Sequence, residues 1–290
     1  MKPALRTALA TALILMAVAG HASPASADDP PRRVLIAGDS VGFSLFPALQ
    51  EAGAARGVRV ETAALFGCPV VDGAPVDDDG RPFPTVPVCP VDRPAHYRAA
   101  VARFRPDVVV WISGWETSAR IVDGRLFRFG TIDGNRDLAR RIDEAVGWLT
   151  SAGARVVFVP LPPSAQSSAH GVPSPTNDAR MVELANLIRS YGRQHPGPVS
   201  VVDLPALICP HGPPCPAEVD GVVPRPADGI HFEGPGASRL AEHIVPLVLE
   251  PPSPPLLPNG ANASVTASCP PAPASTADAG RSRCTKPASG

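Results

Sequence analysis

The sequence predicts an α/β fold of three layers, with a central, mainly five-stranded parallel sheet between two layers of helices. Short Val-rich apolar runs alternate along the chain with longer segments of helical periodicity. This alternation is typical of a parallel sheet that is covered by helices on both faces. About 220 residues lie between two atypical ends, which is enough for one domain with a full core.

Each element follows from its pattern of apolar residues. Five apolar runs predict the strands: 33–37, 58–63, 107–112, 155–159 and 199–202. Helical spacing of Leu, Ile, Ala and Val predicts four main helices: 43–56, 135–152, 177–194 and 236–249. Three stretches fit no regular element and are expected to be long loops: 69–94, 160–176 and 208–227. Loops of this length are uncommon in compact domains unless they serve a site.

The two ends of the chain are expected to lie outside this domain. Residues 1–27 have the pattern of a secretory signal peptide, because Lys2 and Arg6 precede an apolar run and Ala25-Ser26-Ala27 forms a small-residue cleavage signature. Residues 251–290 are rich in Pro, Ala and Ser and are expected to be a flexible tail. The domain is therefore expected over 28–250, in a secreted or extracytoplasmic protein without a membrane span in its mature chain.

The six cysteines fit an oxidising compartment, where disulfides persist. Their spacing suggests three local pairs, although six cysteines allow fifteen pairings: Cys68 with Cys89, Cys209 with Cys215, and Cys269 with Cys284. Metal binding is the competing interpretation, but no CxxC pair or histidine cluster accompanies these residues. Disulfides are therefore expected, and no metal site.

The overall charge excludes some classes of partner. The formal net charge is −1, from 26 Lys and Arg against 27 Asp and Glu. A nucleic-acid-binding or anionic-lipid-binding surface would require a basic excess that this chain lacks. No nucleic-acid partner is therefore expected, and the protein is expected to be a monomer.

Ser40 is the first candidate for catalysis. The apolar run of the first predicted strand ends in Gly38-Asp39-Ser40, so Ser40 lies at the carboxyl end of that strand, where parallel sheets place their sites. The alternative is that Ser40 only caps a helix. Both roles are compatible, because free backbone N–H groups at a helix N-terminus can stabilise an oxyanion.

Asp228 and His231 supply the acid and base that a nucleophilic serine needs. The segment Asp228-Gly229-Ile230-His231 comes just before the last predicted helix, so one turn can present both side chains. The acid can orient one imidazole nitrogen while the other faces Ser40, as in a Ser-His-Asp triad. His211, in the loop bounded by two cysteines, is the one serious rival for the base.

At these residues the chain resembles the SGNH (GDSL-like) hydrolases. Gly38-Asp39-Ser40 and Asp228-x-x-His231 match the first and last motifs of that family, and Gly67 matches the glycine of its second motif. The chain looks most similar to SGNH domains associated with acyltransferases of bacterial surface glycans. The resemblance implies a flavodoxin-like fold, and it implies that the N–H groups of Ser40 and Gly67 are oxyanion donors.

The third motif departs from the family pattern. Where the family usually has Gly-x-Asn, with the asparagine as a further oxyanion donor, this chain has Gly114-Trp115-Glu116. An ionised glutamate only accepts hydrogen bonds. Three outcomes remain open: an oxyanion hole with two donors, a donor from elsewhere such as Asn177 or Trp115, or lost activity. Trp115 and Glu116 are equally compatible with shaping the wall of the cleft.

These residues predict a secreted serine esterase that removes small acyl groups, such as acetyl, from a carbohydrate or a similar polar ester. No metal or organic cofactor is expected. One alternative is an acyltransferase that uses the same serine, because both reactions share an acyl-enzyme. The other alternative is a non-catalytic glycan-binding module, in which Trp115 would stack on a sugar ring.

Overall fold

The computed structural model describes residues 33–83, 89, 92–165 and 175–251. The expected signal peptide 1–27, nearly all of the expected tail 251–290, and the cysteines Cys269 and Cys284 lie outside the described residues. Within the described residues, no helix is long and apolar enough to cross a membrane.

The strands form one parallel sheet and one small antiparallel sheet. They are β1 (Arg33–Gly38), β2 (Arg59–Thr62), β3 (Ala74–Val76), β4 (Val108–Ile112), β5 (Ala119–Val122), β6 (Arg125–Phe127), β7 (Arg155–Phe158) and β8 (Val199–Val201). Five of them form a parallel sheet in the order β2-β1-β4-β7-β8. Counted within that sheet alone, the order is 2-1-3-4-5, the flavodoxin-like order. The predicted fold class is confirmed.

The helices cover both faces of the parallel sheet. They are α1 (Ser40–Ala54), α2 (Arg93–Phe104), α3 (Ile132–Leu149), α4 (Pro175–Gln194), α5 (Leu204–Ile208) and α6 (Gly234–Leu249). Successive side chains of a strand point to opposite faces, and β4 shows this directly. Val108, Val110 and Ile112 pack in one core cluster with α1 and α6, whereas Val109 and Trp111 pack in the other with α2, α3 and α4.

Two features were not predicted. Residues 69–94, expected to be a loop, contain β3 and the start of α2. In helix α2 the charged residue Arg93 is buried while Ala95 and Ala99 are exposed, so its apolar periodicity is weak. Strands β3, β5 and β6 form an antiparallel sheet in the order β3-β5-β6. They are only three or four residues long, which leaves too little alternation to recognise.

The neighbouring strands β1 and β4 approach each other closely at their carboxyl ends. Gly38 pairs with Ile112 across the two strands, and a Cβ atom on Gly38 would lie 1.9 Å from the Ile112 carbonyl oxygen. Only glycine fits this contact. The strand order reverses between these two strands, which is the point where sheets of this type bind ligands. The chain that follows each strand, at Asp39 and at Ser113, therefore meets at one place.

Candidate active site

Ser40 is the first residue of α1, and one residue, Asp39, separates it from the end of β1. The helix begins there because Asp39 is its N-cap, and the Asp39 Oδ1 atom accepts the Val41 N–H at 2.8 Å. At the N-terminus of a helix the first backbone N–H groups have no intrahelical acceptor. Ser40 therefore places a hydroxyl beside its own backbone donor.

His231 and Asp228 reach Ser40 from the loop that precedes α6. His231 Nε2 lies 2.8 Å from Ser40 Oγ, and His231 Nδ1 lies 2.5 Å from Asp228 Oδ2. The second oxygen of Asp228 accepts the backbone N–H groups of Ile230 and His231, each at 2.8 Å. One turn thus holds both groups, and the structure brings the three side chains expected from the sequence into one hydrogen-bonded chain.

The electrostatics of Asp228 favour one tautomer of His231. Partial burial acts to raise the pKa of Asp228, but the hydrogen bonds from His231 and Ile230 outweigh this effect and hold the pKa below its usual value. The ionised carboxylate accepts the Nδ1–H of the imidazole. His231 Nε2 is then the acceptor that faces the Ser40 hydroxyl.

Asp39 links the start of α1 to the segment after β4. Its Oδ2 atom accepts the Gly114 N–H at 2.7 Å, the Trp115 N–H at 3.2 Å and the Ser113 hydroxyl at 3.1 Å. The residue is buried, and burial raises the pKa of Asp39 while the four hydrogen bonds to its carboxylate oppose that rise. Sequence reasoning treated Asp39 only as a motif residue and did not foresee this link.

Gly67 lies in a tight turn beside the first turn of α1. The Cys68 N–H donates to the Leu65 carbonyl at 3.2 Å, and Gly67 has a φ of +63°, a conformation that favours glycine. The ring of Phe66 contacts the ring of Phe43 in α1, with centroids 4.7 Å apart. These contacts hold the Gly67 turn against the helix that begins at the candidate nucleophile.

Two of the three expected disulfides are present. Cys68 and Cys89 are bonded, with Cα atoms 5.6 Å apart, and so are Cys209 and Cys215, at 4.9 Å. The third expected pair lies outside the described residues. The first bond is adjacent to the Gly67 turn. The second closes the loop that carries His211, which is exposed and is not part of the lining of the cleft described below.

Glu116 does not lie where the family comparison suggested. The chain forms a 3₁₀ turn over Trp115–Thr117, which directs Trp115 to the cleft and the Glu116 carboxyl into the protein. Glu116 is only 2% exposed, and its Oε1 atom accepts the Val70 N–H at 2.8 Å. The Glu116 carboxyl thus accepts a hydrogen bond from the loop after Gly67 and does not line the cleft.

The candidate triad opens into a cleft of about 410 Å³. Trp115 forms one wall with Phe83, whose ring meets it edge-on at 5.1 Å, and Gly114 and Asn177 also contribute to the lining. Arg180 is a further lining residue. In the part of the chain that the structure describes, no group of three or more His, Cys, Asp or Glu side chains is placed to hold a metal ion.

Arg225 is a buried cation of this lining that sequence reasoning missed. It is 3% exposed, its Nη1 donates to the Pro163 carbonyl at 2.5 Å, and its guanidinium lies 5.7 Å from the ring centroid of Phe232. Burial lowers the pKa of Arg225 to about 10, against the charges of Asp178 and Asp228. A lone arginine in a loop has no periodic or motif signal, so the sequence could not mark it.

The chain is similar in sequence to a known protein family. The family model described as "SGNH domain (fused to AT3 domains)" matches residues 14–246, well over half of the chain. No curated protein sequence matches.

Several solved structures are similar to this chain in fold. The periplasmic domain of a lipopolysaccharide acetyltransferase from Salmonella ser. Paratyphi A is 14% identical, with a TM-score of 0.50 over 76% of this chain and 84% of that one. A GDSL-like lipase from Bacteroides thetaiotaomicron is 12% identical, with a TM-score of 0.46 over 75% and 87%. The C-terminal catalytic domain of peptidoglycan O-acetyltransferase A from Streptococcus pneumoniae is 16% identical, with a TM-score of 0.42 over 76% and 94%.

Proposed function

The chain belongs to the SGNH domain family, and on that premise we propose that it is an extracytoplasmic serine esterase that removes small acyl groups, such as acetyl, from a carbohydrate or similar polar ester. The observation that carries the proposal is the hydrogen-bonded chain from Ser40 through His231 to Asp228. It combines a nucleophile, a base and an orienting acid, each within reach of the next.

The proposed reaction has two steps. Ser40 Oγ attacks the ester carbonyl carbon while His231 Nε2 takes the hydroxyl proton, and His231 then returns this proton to the departing alcohol oxygen. A water molecule next attacks the acyl-enzyme, with His231 again accepting a proton. Bond cleavage returns the proton to Ser40 Oγ and releases a carboxylic acid. Asp228 stays ionised throughout and stabilises the imidazolium that forms in each step.

We assign the oxyanion to two backbone donors, the N–H groups of Ser40 and Gly67. Ser40 N–H belongs to the first turn of α1, where the helix dipole also favours negative charge. The Gly67 turn lies against that same first turn. Because the Glu116 carboxyl is turned into the protein, we expect no donor from that side chain, and an oxyanion hole with two backbone donors is the version that the geometry favours.

The cleft favours a polar substrate that is larger than the acyl group itself. A volume of about 410 Å³ falls in the range of pockets that hold drug-sized ligands. Its lining combines the aromatic wall of Trp115 and Phe83 with polar groups such as Asn177 and Arg180. We therefore expect the aromatic wall to contact a sugar ring, with the ester directed to Ser40.

Acyl transfer is the second candidate function. The same cleft has room for an acceptor sugar beside the acyl-enzyme, so that an acceptor hydroxyl would replace water in the second step. Supplying a soluble sugar during hydrolysis of p-nitrophenyl acetate tests this idea. Formation of acetylated sugar, detected by mass spectrometry, supports transfer. Release of acetate alone at every sugar concentration supports hydrolysis.

Labelling and kinetics of a serine variant test the main proposal. A fluorophosphonate should form one adduct, at Ser40. Ser40→Ala should lower kcat on p-nitrophenyl acetate by at least about 10³-fold, because removal of a triad member leaves only residual catalysis. Ser44→Ala is the matched control, since Ser44 lies one turn further along α1 and bonds only the Val41 carbonyl.

Each failure of this test has its own meaning. An adduct at another serine, or full activity in Ser40→Ala, would refute the assigned nucleophile. A folded protein with neither labelling nor hydrolysis would favour the non-catalytic glycan-binding module.

An extracytoplasmic location is part of the proposal. Two disulfides are consistent with an oxidising compartment, and the pattern of residues 1–27 is that of a secretory signal. Fractionation of cells that express the full chain, followed by N-terminal sequencing of the mature protein, checks the location and the cleavage site together.

A further inference from the structure

Three backbone segments meet at the candidate oxyanion hole, and two buried carboxyl groups join them. The segments are the start of α1, the chain after β4, and residues 63–73, which we call the Gly67 loop. Asp39 joins the first segment to the second through Gly114 and Trp115. Glu116 joins the second segment to the Gly67 loop through Val70. One path from one proposed donor to the other thus runs through both carboxyl groups, in addition to the direct hydrogen bond from the Leu65 N–H to the Gly38 carbonyl at 2.8 Å.

The contact made by Glu116 is a buried one. Its Oε1 atom accepts the Val70 N–H at 2.8 Å, and both groups are shielded from water. The Oε2 atom is also buried and has no hydrogen-bond partner among the described residues. Leaving a buried polar atom without a partner costs free energy. Retaining a glutamate here therefore calls for a compensating role, and its hydrogen bond with the Val70 N–H connects it to the Gly67 loop.

Other contacts hold the Gly67 loop from a different direction. From α2, His96 Nε2 lies 2.9 Å from the Ala63 carbonyl, and Arg93 Nε donates to the Val71 carbonyl at 2.8 Å. The disulfide to Cys89 adds a third attachment on that side. Within the described ranges, Glu116 is the one side chain whose hydrogen bond connects this loop to the chain after β4.

We propose that Glu116 is a positioning residue, which fixes the Gly67 N–H relative to the Ser40 N–H. The inference rests on the proposed esterase function and adds to it. At the third family motif, this chain replaces a side-chain donor that would touch the oxyanion with a buried carboxyl that secures a backbone donor. Glu116 then acts on the reaction only through the geometry of the Gly67 loop.

The charge state of Glu116 agrees with this role. Burial raises the pKa of Glu116, and the Asp39 charge raises it further, against the effects of Ser113 and the Val70 N–H. When two buried carboxyl groups interact, one holds the proton more readily. Asp39 accepts four hydrogen bonds, which favour the charge on Asp39 and the proton on Glu116.

The remaining charged and titratable groups that face Glu116 are Arg93 and Tyr97 of α2 and Arg120 of β5. Arg93 and Arg120 each bind other oxygen atoms, namely the Val71 carbonyl and the Asp137 carboxylate. A neutral Glu116 does not oppose the negative charge of the oxyanion.

Three substitutions of Glu116 separate positioning from charge. Glu116→Gln keeps a carbonyl oxygen of the same reach for the Val70 N–H, so kcat on p-nitrophenyl acetate should stay within about threefold of wild type. Glu116→Ala should lower kcat by about 10- to 100-fold with KM nearly unchanged, since loss of a whole oxyanion donor costs about 10²- to 10³-fold. Glu116→Asn is one methylene shorter and should behave like Glu116→Ala, although asparagine is the usual family residue.

Tyr191→Phe is the control for loss of a partly buried hydrogen bond away from the site. The Tyr191 hydroxyl donates to Asp143 Oδ1 at 2.7 Å, near the end of α4. The kcat of Tyr191→Phe should equal that of wild type, and thermal melts of both variants report how far each substitution destabilises the fold. A merely structural role for Glu116 would make these two variants alike in kcat.

Fluorophosphonate labelling of wild-type Ser40 keeps the two proposals distinguishable. If wild type neither labels nor hydrolyses ester, the proposed function fails. If wild type labels and turns over, but Glu116→Ala or Glu116→Asn keeps or raises kcat, the positioning role is overturned while the esterase stands. Should Glu116→Ala fail to fold, the comparison of Glu116→Gln with Glu116→Asn decides, because the role requires Gln to retain activity and Asn to lose it.

Discussion

The two halves of the candidate site differ in how deeply their key side chains are buried. The oxyanion side, defined as residues 39–41, 63–73 and 113–116, is fixed by buried carboxyl groups, and Asp39 and Glu116 are 1% and 2% exposed. The base side, defined as residues 225–233, presents the Asp228 and His231 side chains at 33% and 30% exposure. The carboxyl groups that secure the oxyanion side are thus buried, while the acid and base of the other side stay in contact with solvent.

The difference follows from what each side must do. Donors that stabilise an oxyanion act best when they are already aligned, because they then need no reorganisation during the reaction. A base that exchanges protons with substrate and water needs access to both. The pKa directions agree: burial raises the pKa values of Asp39 and Glu116, whereas hydrogen bonds from His231 and Ile230 hold that of Asp228 down.

The largest predicted effect comes from breaking the base side alone. Asp228→Asn should lower kcat by about 10³- to 10⁴-fold, because an amide no longer holds His231 in the tautomer that accepts the Ser40 proton. The melting temperature should change little, since the side chain is partly exposed. Steady-state kinetics on p-nitrophenyl acetate and a thermal melt measure both quantities.

Asp220→Asn is the control for this substitution. Asp220 is exposed in the preceding loop, and its φ of +50° suits asparagine. Its kcat should equal that of wild type. If Asp228→Asn kept more than a tenth of wild-type kcat, Asp228 would not be the orienting acid. The distinction between an oxyanion side and a base side would then have no basis in the chemistry.

The same contrast separates what the sequence could predict from what it could not. Ser40, Asp228 and His231 could be proposed because each lies in a short motif next to a recognisable element, and the order of the parallel strands brings such motifs to one edge. Asp39 and Glu116 could not be assigned their links, because a hydrogen bond between distant segments leaves no local pattern. The inward direction of Glu116 depends on a 3₁₀ turn of three residues, which periodicity does not detect.

The second-largest predicted effect is a loss of stability caused by a substitution on the oxyanion side. Asp39→Asn should lower the free energy of unfolding by about 2–3 kcal/mol, because the amide NH₂ replaces an acceptor and leaves buried N–H donors such as that of Gly114 without a partner. Urea unfolding of the two proteins measures the difference.

Asp92→Asn is the matched control, since Asp92 is an exposed N-cap of α2 that accepts the Ala95 N–H at 2.8 Å. Asparagine caps helices as well as aspartate does, so this variant should unfold like wild type. Equal losses in Asp39→Asn and Asp92→Asn would mean that Asp39 is only a helix cap and that the buried link adds nothing.

The smallest predicted effect concerns how protein stability changes with pH. Glu116, on the oxyanion side, and Asp228, on the base side, should change it in opposite directions. The pKa of Glu116 is raised above 4.5 in the folded protein, so its stabilising contribution is present below about pH 4.5 and is lost as the pH rises through the folded-state value. Glu116→Gln removes that loss, so wild type should lose stability relative to this variant as the pH rises.

Asp228 has the opposite sign. Its pKa is lowered below 3.8, so its contribution is present above about pH 3.8 and is lost as the pH falls through the folded-state value. Wild type should therefore lose stability relative to Asp228→Asn as the pH falls. Urea midpoints of the three proteins between about pH 3 and pH 8 measure both slopes. Slopes of the same sign would show that Glu116 is ionised in the folded protein like Asp228. Glu116 would then carry a buried charge, and the division between a neutral, buried oxyanion side and an ionised, accessible base side would be wrong.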